Sequence, residues 1–307
     1  MEKVMVLGAK GRFGRAAVDG FAARGWQVTA MGRDWPADTA AQANVTLVEG
    51  DVMHTQALIA ACMGHDVIVH AVNPAYEDWA KMMPPITKSI IAAAKATGAT
   101  VLIPGNVYNY GADMPQMLRE TTPHSPTTRK GTLREEMERA FQAADVPTIV
   151  LRAGDYIDTA QSGNWFDMII AAKSKRGKTV YPGPLDVPHA WAYLPDVGRA
   201  AALLAEQRRS FARFETFGFG GYGITGRELV EGIGETLGKR QKPGGVPWWI
   251  FRLLGLFSAN IHELIEMRYL WRVAHVVDGA KLAKALPEFK PTPLADALGQ
   301  ALDQAPA

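Results

Sequence analysis

Gly8-Ala9-Lys10-Gly11-Arg12-Phe13-Gly14 is the stretch on which the fold turns. Before it, Met1 to Ala9 forms a short apolar strand carrying Val4, Val6 and Leu7. After it a helix is expected, burying Ala16, Ala17, Val18, Phe21 and Ala22, with Gly25 as its C-cap. Trp26 to Met31 then reads as a second strand. Strand, glycine turn, helix and strand, in that order, are what a dinucleotide pyrophosphate requires. Gly8 allows the tight turn, Gly11 the close approach of backbone to ligand, and Gly14 the packing of helix on sheet. The helix N-terminus offers unpaired N–H groups to the phosphates. Lys10, Arg12 and Phe13 complete the turn and are counted with the glycines as cofactor-binding residues.

The end of the second strand selects the nucleotide. An acid there would hydrogen-bond a ribose 2′-hydroxyl. Directly after this strand come Gly32, Arg33 and Asp34, with Arg12 in the glycine turn; Gly32 is the acid's position in the family pattern that the glycine spacing resembles, and Asp34 comes late for it. Two guanidinium groups suit a 2′-phosphate, so NADP(H) is expected over NAD(H).

The Gly-x-x-Gly-x-x-Gly spacing resembles that of the short-chain dehydrogenase/reductase superfamily in its extended and atypical branches. These include NAD-dependent epimerase/dehydratase-like, isoflavone-reductase-like and NmrA-like proteins. The resemblance implies a Rossmann-type doubly wound parallel sheet with a smaller, sequence-interleaved α/β C-terminal region. The expected division is residues 1–154 for dinucleotide binding, completed by about 190–219, and 155–189 with 220–307 for substrate. It also implies that Asp51 accepts from the adenine amino group while Val52 covers the ring. Asp51 is equally suited to cap the following helix. Ala71, Val72 and Asn73 end a nearly continuous apolar strand beginning at Asp66, where open α/β sheets bind ligands. They are expected to leave room for the cofactor. Tyr76 follows as a substrate contact. The next helix is expected to have Pro84-Pro85 near its start.

The loop Gly105 to Gly111 follows a fifth strand. In the superfamily it carries a hydroxyl residue for the reacting oxygen; here Asn106 and Tyr108 are the candidates. Family members then place Tyr-x-x-x-Lys near residue 130. The alignment puts Lys130 at the tyrosine and Arg134 at the lysine. Arginine is a poor proton donor. A lysine serves if burial and a neighbouring cation act on it, and Lys130 shares a helix face with Arg134. Lys130 is therefore the candidate acid/base or cofactor-ribose ligand.

Further on, Trp165, His189 and Trp191 are candidate substrate contacts, although no acidic partner for His189 is evident. Asp196 is expected to cap a helix running through Glu206, and Thr225-Gly226-Arg227-Glu228 is a capping box. The apolar Val246–Phe257 stretch reads as a lid, as an interfacial helix, or as packing within the substrate region. A helix is expected over 261–273.

The composition is that of a globular protein, with 48% hydrophobic and 21% charged residues, and a net charge of +2 argues against a nucleic-acid surface. Cys62 alone cannot form an intrachain disulfide. No apolar run approaches the roughly 18 residues of a membrane span, and the chain starts directly in a strand; a cytoplasmic monomer or homodimer is expected. No metal site is expected.

These readings lead to an NADP(H)-dependent oxidoreductase acting on a small molecule. The aromatic and Met content of the C-terminal half hints at an apolar one. Two alternatives stay open. One is a nucleotide-sugar epimerase/dehydratase, for which Arg252, Arg268 and Arg272 are the only tail arginines to meet a diphosphate. The other is a non-catalytic, NmrA-like redox sensor.

Overall fold

A computed structural model describes residues 1–35, 43–160, 162–255 and 259–303. The chain opens with β1 (Lys3–Leu7), α1 (Arg12–Ala23), β2 (Gln27–Gly32), β3 (Val45–Glu49), α2 (Thr55–Cys62), β4 (Val67–His70), α3 (Trp79–Thr97) and β5 (Thr100–Gly105). It continues through β6 (Met117–Leu118), α4 (Arg129–Ala143), β7 (Thr148–Arg152), β8 (Asp155–Ile157), β9 (Lys178–Tyr181), β10 (Pro188–Tyr193), α5 (Leu194–Glu206) and β11 (Phe214–Gly218). The last elements are β12 (Tyr222–Thr225), α6 (Gly226–Thr236), β13 (Lys242–Gly245), α7 (Trp248–Leu254), α8 (Ala259–Glu266), β14 (Val276–Val277), α9 (Ala280–Ala285) and α10 (Leu294–Asp303).

Seven strands form one parallel sheet in the order β11-β7-β5-β4-β1-β2-β3. Their near-continuous runs of Val, Ile and Leu follow from burial on both faces. One face packs Val4, Val6, Val28 and Val69 against α1 and α5. The other packs Met5, Leu7, Ile68, Val101 and Ile103 against α2, α3 and α4. The strand order reverses between β1 and β4, and a doubly wound sheet opens its ligand crevice at that switch point. A second sheet, β12-β10-β8, is built from strands after residue 154, and a separate core packs around Trp191, Tyr181 and Trp271.

Several local expectations change in the structure. Pro84 and Pro85 lie inside α3, five and six residues after its first residue, Trp79. The helix expected over 261–273 ends as α-helix at Glu266 and tightens into a 3₁₀ turn over Met267–Trp271. Asp196 does not cap α5. It sits in the first turn, and its buried carboxylate accepts from the Thr292 N–H at 2.5 Å, the Thr292 hydroxyl at 2.9 Å and Arg199. The acid thus ties the Pro-Thr step of the tail to α5. The capping box at Thr225 and Glu228 is present.

Helices α1 and α5 meet at backbone distance. A Cβ on Gly198 would lie 2.1 Å from the Ala16 carbonyl oxygen, and one on Gly20 would lie 2.4 Å from that of Gly198. Neither oxygen can move without its helix. Gly198→Ala is therefore expected to destabilise the fold by about 1–3 kcal/mol. The check is a lowered urea midpoint at unchanged m-value.

Candidate active site

The glycine turn builds a cradle out of missing side chains. Gly8 has φ +75°, and a Cβ there would lie 2.8 Å from the Ala71 carbonyl oxygen. A Cβ on Gly14 would lie 2.2 Å from the Gly8 carbonyl oxygen. This draws the first turn of α1 onto β1, beside the end of β4. Gly11 is the N-cap of α1 and supplies no side-chain cap, so the N-terminal N–H groups face the crevice. Such a cradle fits a pyrophosphate.

The cradle's cations are arranged differently from the expectation. Arg12 turns away from the second strand: its Nε donates to the Ser162 carbonyl at 2.8 Å and its Nη2 to that of Gly163 at 2.7 Å. Lys10 instead stands at the end of β2, its stem 3.2 Å from a Cβ built on Gly32. Its Nζ reaches the Asp34 carboxylate at 3.0 Å. That contact, more than the charge of Arg33, holds the Asp34 carboxyl below its ordinary value. Arg33 is exposed. Trp35 lies against Gly32 and donates from its indole to the Val48 carbonyl at 3.1 Å.

Asp51 accepts from the Met53 N–H at 2.9 Å and so shapes the turn into α2, whose N-cap is His54. Val52 and Ala71 are buried, Val72 is half-buried and Asn73 is exposed at the crevice. Phe13 belongs to the core behind the turn.

A second cluster forms where β5, α4 and α8 meet. The Tyr76 and Tyr108 hydroxyls are 3.2 Å apart, and the Lys130 ammonium lies 5.1 Å from the centre of the Tyr76 ring. Lys130 is only 1% exposed. Its three N–H donors all go to α8: the Glu263 carbonyl at 2.9 Å, the Glu263 carboxylate, and the Glu266 carboxylate at 2.6 Å. Glu266 also accepts the Arg129 N–H at 2.6 Å. Lys130 thus reaches a ligand only by exchanging one of these bonds. Asn106 is occupied as well. Its side-chain oxygen accepts the Tyr108 N–H at 3.0 Å, and its carbonyl accepts from Arg152. Arg134 donates to the Pro104 carbonyl, and its Nε has no partner. Burial, with Arg152 nearby, pulls this guanidinium below its ordinary value, against the pull of Glu138. Burial pushes the Tyr108 phenol well above its ordinary value, with Tyr76 and Asp155 adding to the rise.

Beneath these residues, Arg152 and Glu138 form a buried pair at 2.7 Å. Burial opposes the charge on Arg152, but Glu138 outweighs it and raises the pKa.

The predicted substrate contacts Trp165, His189 and Trp191 fall in one aromatic wall. Trp271 stacks on His189 at 4.3 Å and meets Trp165 edge-on at 5.4 Å. His189 does have an acidic partner: its Nε2 lies 2.8 Å from Asp155 Oδ2. Asp155 pairs with Trp191 across β8 and β10, and His189, two residues earlier on β10 and 34 positions from Asp155 in sequence, reaches it diagonally. The sequence gives no sign of that pairing. Tyr156, next to Asp155, also went unnoticed. Burial raises its phenol to about 12, while Arg134 and Arg12 pull it down. Glu263 and Glu266 were missed too, although their i, i+3 spacing puts two carboxylates on one helix face.

Cradle, parallel sheet and charged cluster define a dinucleotide-binding α/β protein of the oxidoreductase/epimerase type. Residues 8–180 match the family model described as NAD(P)H-binding. The chain belongs to that family, within the short-chain dehydrogenase/reductase superfamily. It is 30% identical over 251 residues to dTDP-6-deoxy-L-talose 4-dehydrogenase (NAD(P)(+)) of Kitasatospora kifunensis, covering 75% of this chain and 77% of that one. Among solved structures it resembles the UDP-glucose 4-epimerase of Thermotoga maritima (TM-score 0.75, 16% identity, 98% of each chain). It also resembles the Bordetella bronchiseptica enzyme WbmH in complex with NAD+ (TM-score 0.75, 15% identity, 99% of this chain and 98% of that one). At those identities the likeness is one of fold. Among the described residues no helix is long and apolar enough to cross a membrane.

Two buried histidines set a pH limit. Burial lowers His70 and His275 from the ordinary 6.5 to about 3, with Arg134 adding to the effect on His70 and His189 to that on His275. The unfolded chain therefore binds these protons well before the folded chain does. Stability is full above 6.5 and falls as pH drops toward 3. Each group contributes about 1.4 kcal/mol per pH unit inside that window. Urea denaturation across the window should show this slope, and His70→Leu should remove about one proton from it.

Proposed function

We propose that the protein is an NADP(H)-dependent oxidoreductase of the atypical short-chain type. In this reading a nicotinamide exchanges hydride with a carbonyl or alcohol carbon of a small molecule. The observation that carries it is the cradle of Gly8, Gly11 and Gly14 at the sheet's switch point, in a chain of NAD(P)H-binding family membership. The bound dinucleotide supplies the hydride chemistry. Ala71, Val72 and Asn73 would line the dinucleotide's path at the strand ends, Asp51 and Val52 would hold its adenine, and Tyr108 would donate a hydrogen bond to the reacting oxygen. Lys130 faces that oxygen as a cation once a glutamate of α8 lets go. No tyrosine of the chain is followed four residues on by lysine, so the usual dyad is absent as a sequence pattern. Arg33 and Lys10, on either side of Gly32, support the 2′-phosphate preference.

A second reading is favoured by the tail arginines. Arg252 and Arg272 lie close enough to Arg268 to lower its pKa further, after burial itself. The Arg268 Nε is buried without a partner, and its guanidinium lies over Trp248 at 5.4 Å. Among the described residues no carboxylate pairs with any of the three. Such a trio suits a diphosphate, and the Kitasatospora relative is named for a dTDP-sugar. The substrate is then a nucleotide-linked sugar.

Calorimetric titration tests the cofactor. Arg33→Ala should weaken NADPH binding about 10–100-fold and leave NADH binding nearly unchanged. Turnover separates enzyme from sensor. Lys130→Ala should lower the rate of NADPH oxidation and keep the NADPH affinity, measured over a panel of simple carbonyls and dTDP-linked ketosugars. Stoichiometric NADPH binding by the wild-type chain, with no oxidation across that panel, would identify a sensor.

A further inference from the structure

Asp155 and His189 form a pair of ionisable groups at this site that the proposal above leaves unused. His189 is 1% exposed and stacked on Trp271 at 4.3 Å. Its Nε2 lies 2.8 Å from Asp155 Oδ2, and its Nδ1 is buried with no partner. An ionised carboxylate only accepts, so Nε2 carries the hydrogen and Nδ1 offers a bare lone pair. The His275 ring is 4.6 Å away, centre to centre. Its Nδ1 faces the Val273 carbonyl at 2.9 Å, which also only accepts, so its Nε2 is bare and likewise without a partner. Two buried imidazoles with orphaned nitrogens are a costly way to fill a core.

The open end of this line is Asp155. Its side chain is 23% exposed, while that of His189 is 2% exposed. Asp155 opens β8, three residues after the end of β7 at the carboxyl edge of the large sheet. Its charge reaches the Tyr108, Tyr156 and Tyr181 phenols and His275. Lys130, by contrast, has no N–H to spare.

We propose that Asp155, held in place by His189, exchanges the proton with the substrate oxygen. This rests on the oxidoreductase reading. In the oxidative direction the O–H bond of a secondary alcohol breaks and its proton passes to the Asp155 carboxylate. The C–O bond becomes C=O, and the carbon's hydrogen leaves with its electron pair for the oxidised nicotinamide. Reduction runs the same bonds backwards. His189 donates to Asp155 throughout and is a positioning residue.

The test compares the full-length wild type with Asp155→Asn, an isosteric change that spares the buried wall. Three measurements are made: NADPH affinity by fluorescence, turnover over the same panel, and the His189 ring N–H by NMR of histidine-labelled protein. The expected result is unchanged NADPH affinity, kcat lowered about 100–10,000-fold at similar KM, and a His189 Nε2–H resonance moved upfield. A folded Asp155→Asn protein with kcat within about threefold of wild type overturns the proposal. So does a His189 resonance that ignores the substitution. If the wild type binds NADPH but turns over nothing in the panel, the oxidoreductase reading fails separately. The proposed proton exchange falls with it, and the NMR arm then reports only whether the hydrogen-bonded pair exists.

Discussion

The structure depends on a contact that only glycine can make. The first turn of α1 lies against the Gly8 carbonyl so closely that a single methyl group on Gly14 would meet it at 2.2 Å. No rotamer relieves this, because both partners are backbone. The same turn approaches the Ala71 carbonyl from Gly8. Helix α1 is thereby fixed between β1 and β4, with its N-terminus at the crevice. Its other face then meets α5 through Gly20 and Gly198, again backbone to backbone. A chain of backbone close approaches thus runs from the glycine cradle through α1 to α5.

At the other side of the crevice, charge takes over from shape. Three buried cations stand at the carboxyl end of the sheet and are satisfied in different ways. Arg152 has a buried carboxylate, Glu138. Arg134 has a backbone carbonyl and an orphaned Nε. Lys130 has two carboxylates brought by α8. Removing one partner of such a pair leaves a stranded charge, which costs more than the intact pair contributes. Arg152 and Glu138 therefore form a fixed floor under the site. The Lys130 pairs join α4 to a helix more than 130 residues away, so α8 is held to the large sheet's helix layer by charge at the place where chemistry is proposed.

This division explains what the sequence revealed. The cofactor half was legible because its signals are local. The glycine spacing and the apolar strands each declare themselves within a few residues, as the capping box at Thr225 does in the C-terminal region. The cradle's charges were less legible. Arg12 lies in the right loop, but its guanidinium is taken by the carbonyls of Ser162 and Gly163, 150 positions on. Asp196 looked like a cap because it precedes a helix, yet its partner is Thr292. The alignment singles out Lys130 as a candidate only, and Glu263 and Glu266 were invisible as its partners. The Asp155–His189 pair arises from the register of two strands, which no spacing rule encodes. Residues whose partners are distant in sequence carried the errors and omissions.

The phenols narrow the chemistry further. Burial raises Tyr108 well above its ordinary value, raises Tyr156 to about 12, and raises Tyr269 as well. Each therefore stays protonated and can donate a hydrogen bond, but none is a ready base near neutral pH. In the superfamily pattern a neighbouring lysine is what lowers such a phenol. Here that position holds Arg134, whose Nη2 is turned onto the Pro104 carbonyl, and net burial wins over its charge. The proton exchange proposed above calls for a group that is partly exposed and not already saturated. Lys130 fails the last condition while α8 is in place. The Asp155 side chain is partly exposed, and the buried His189 imidazole holds it.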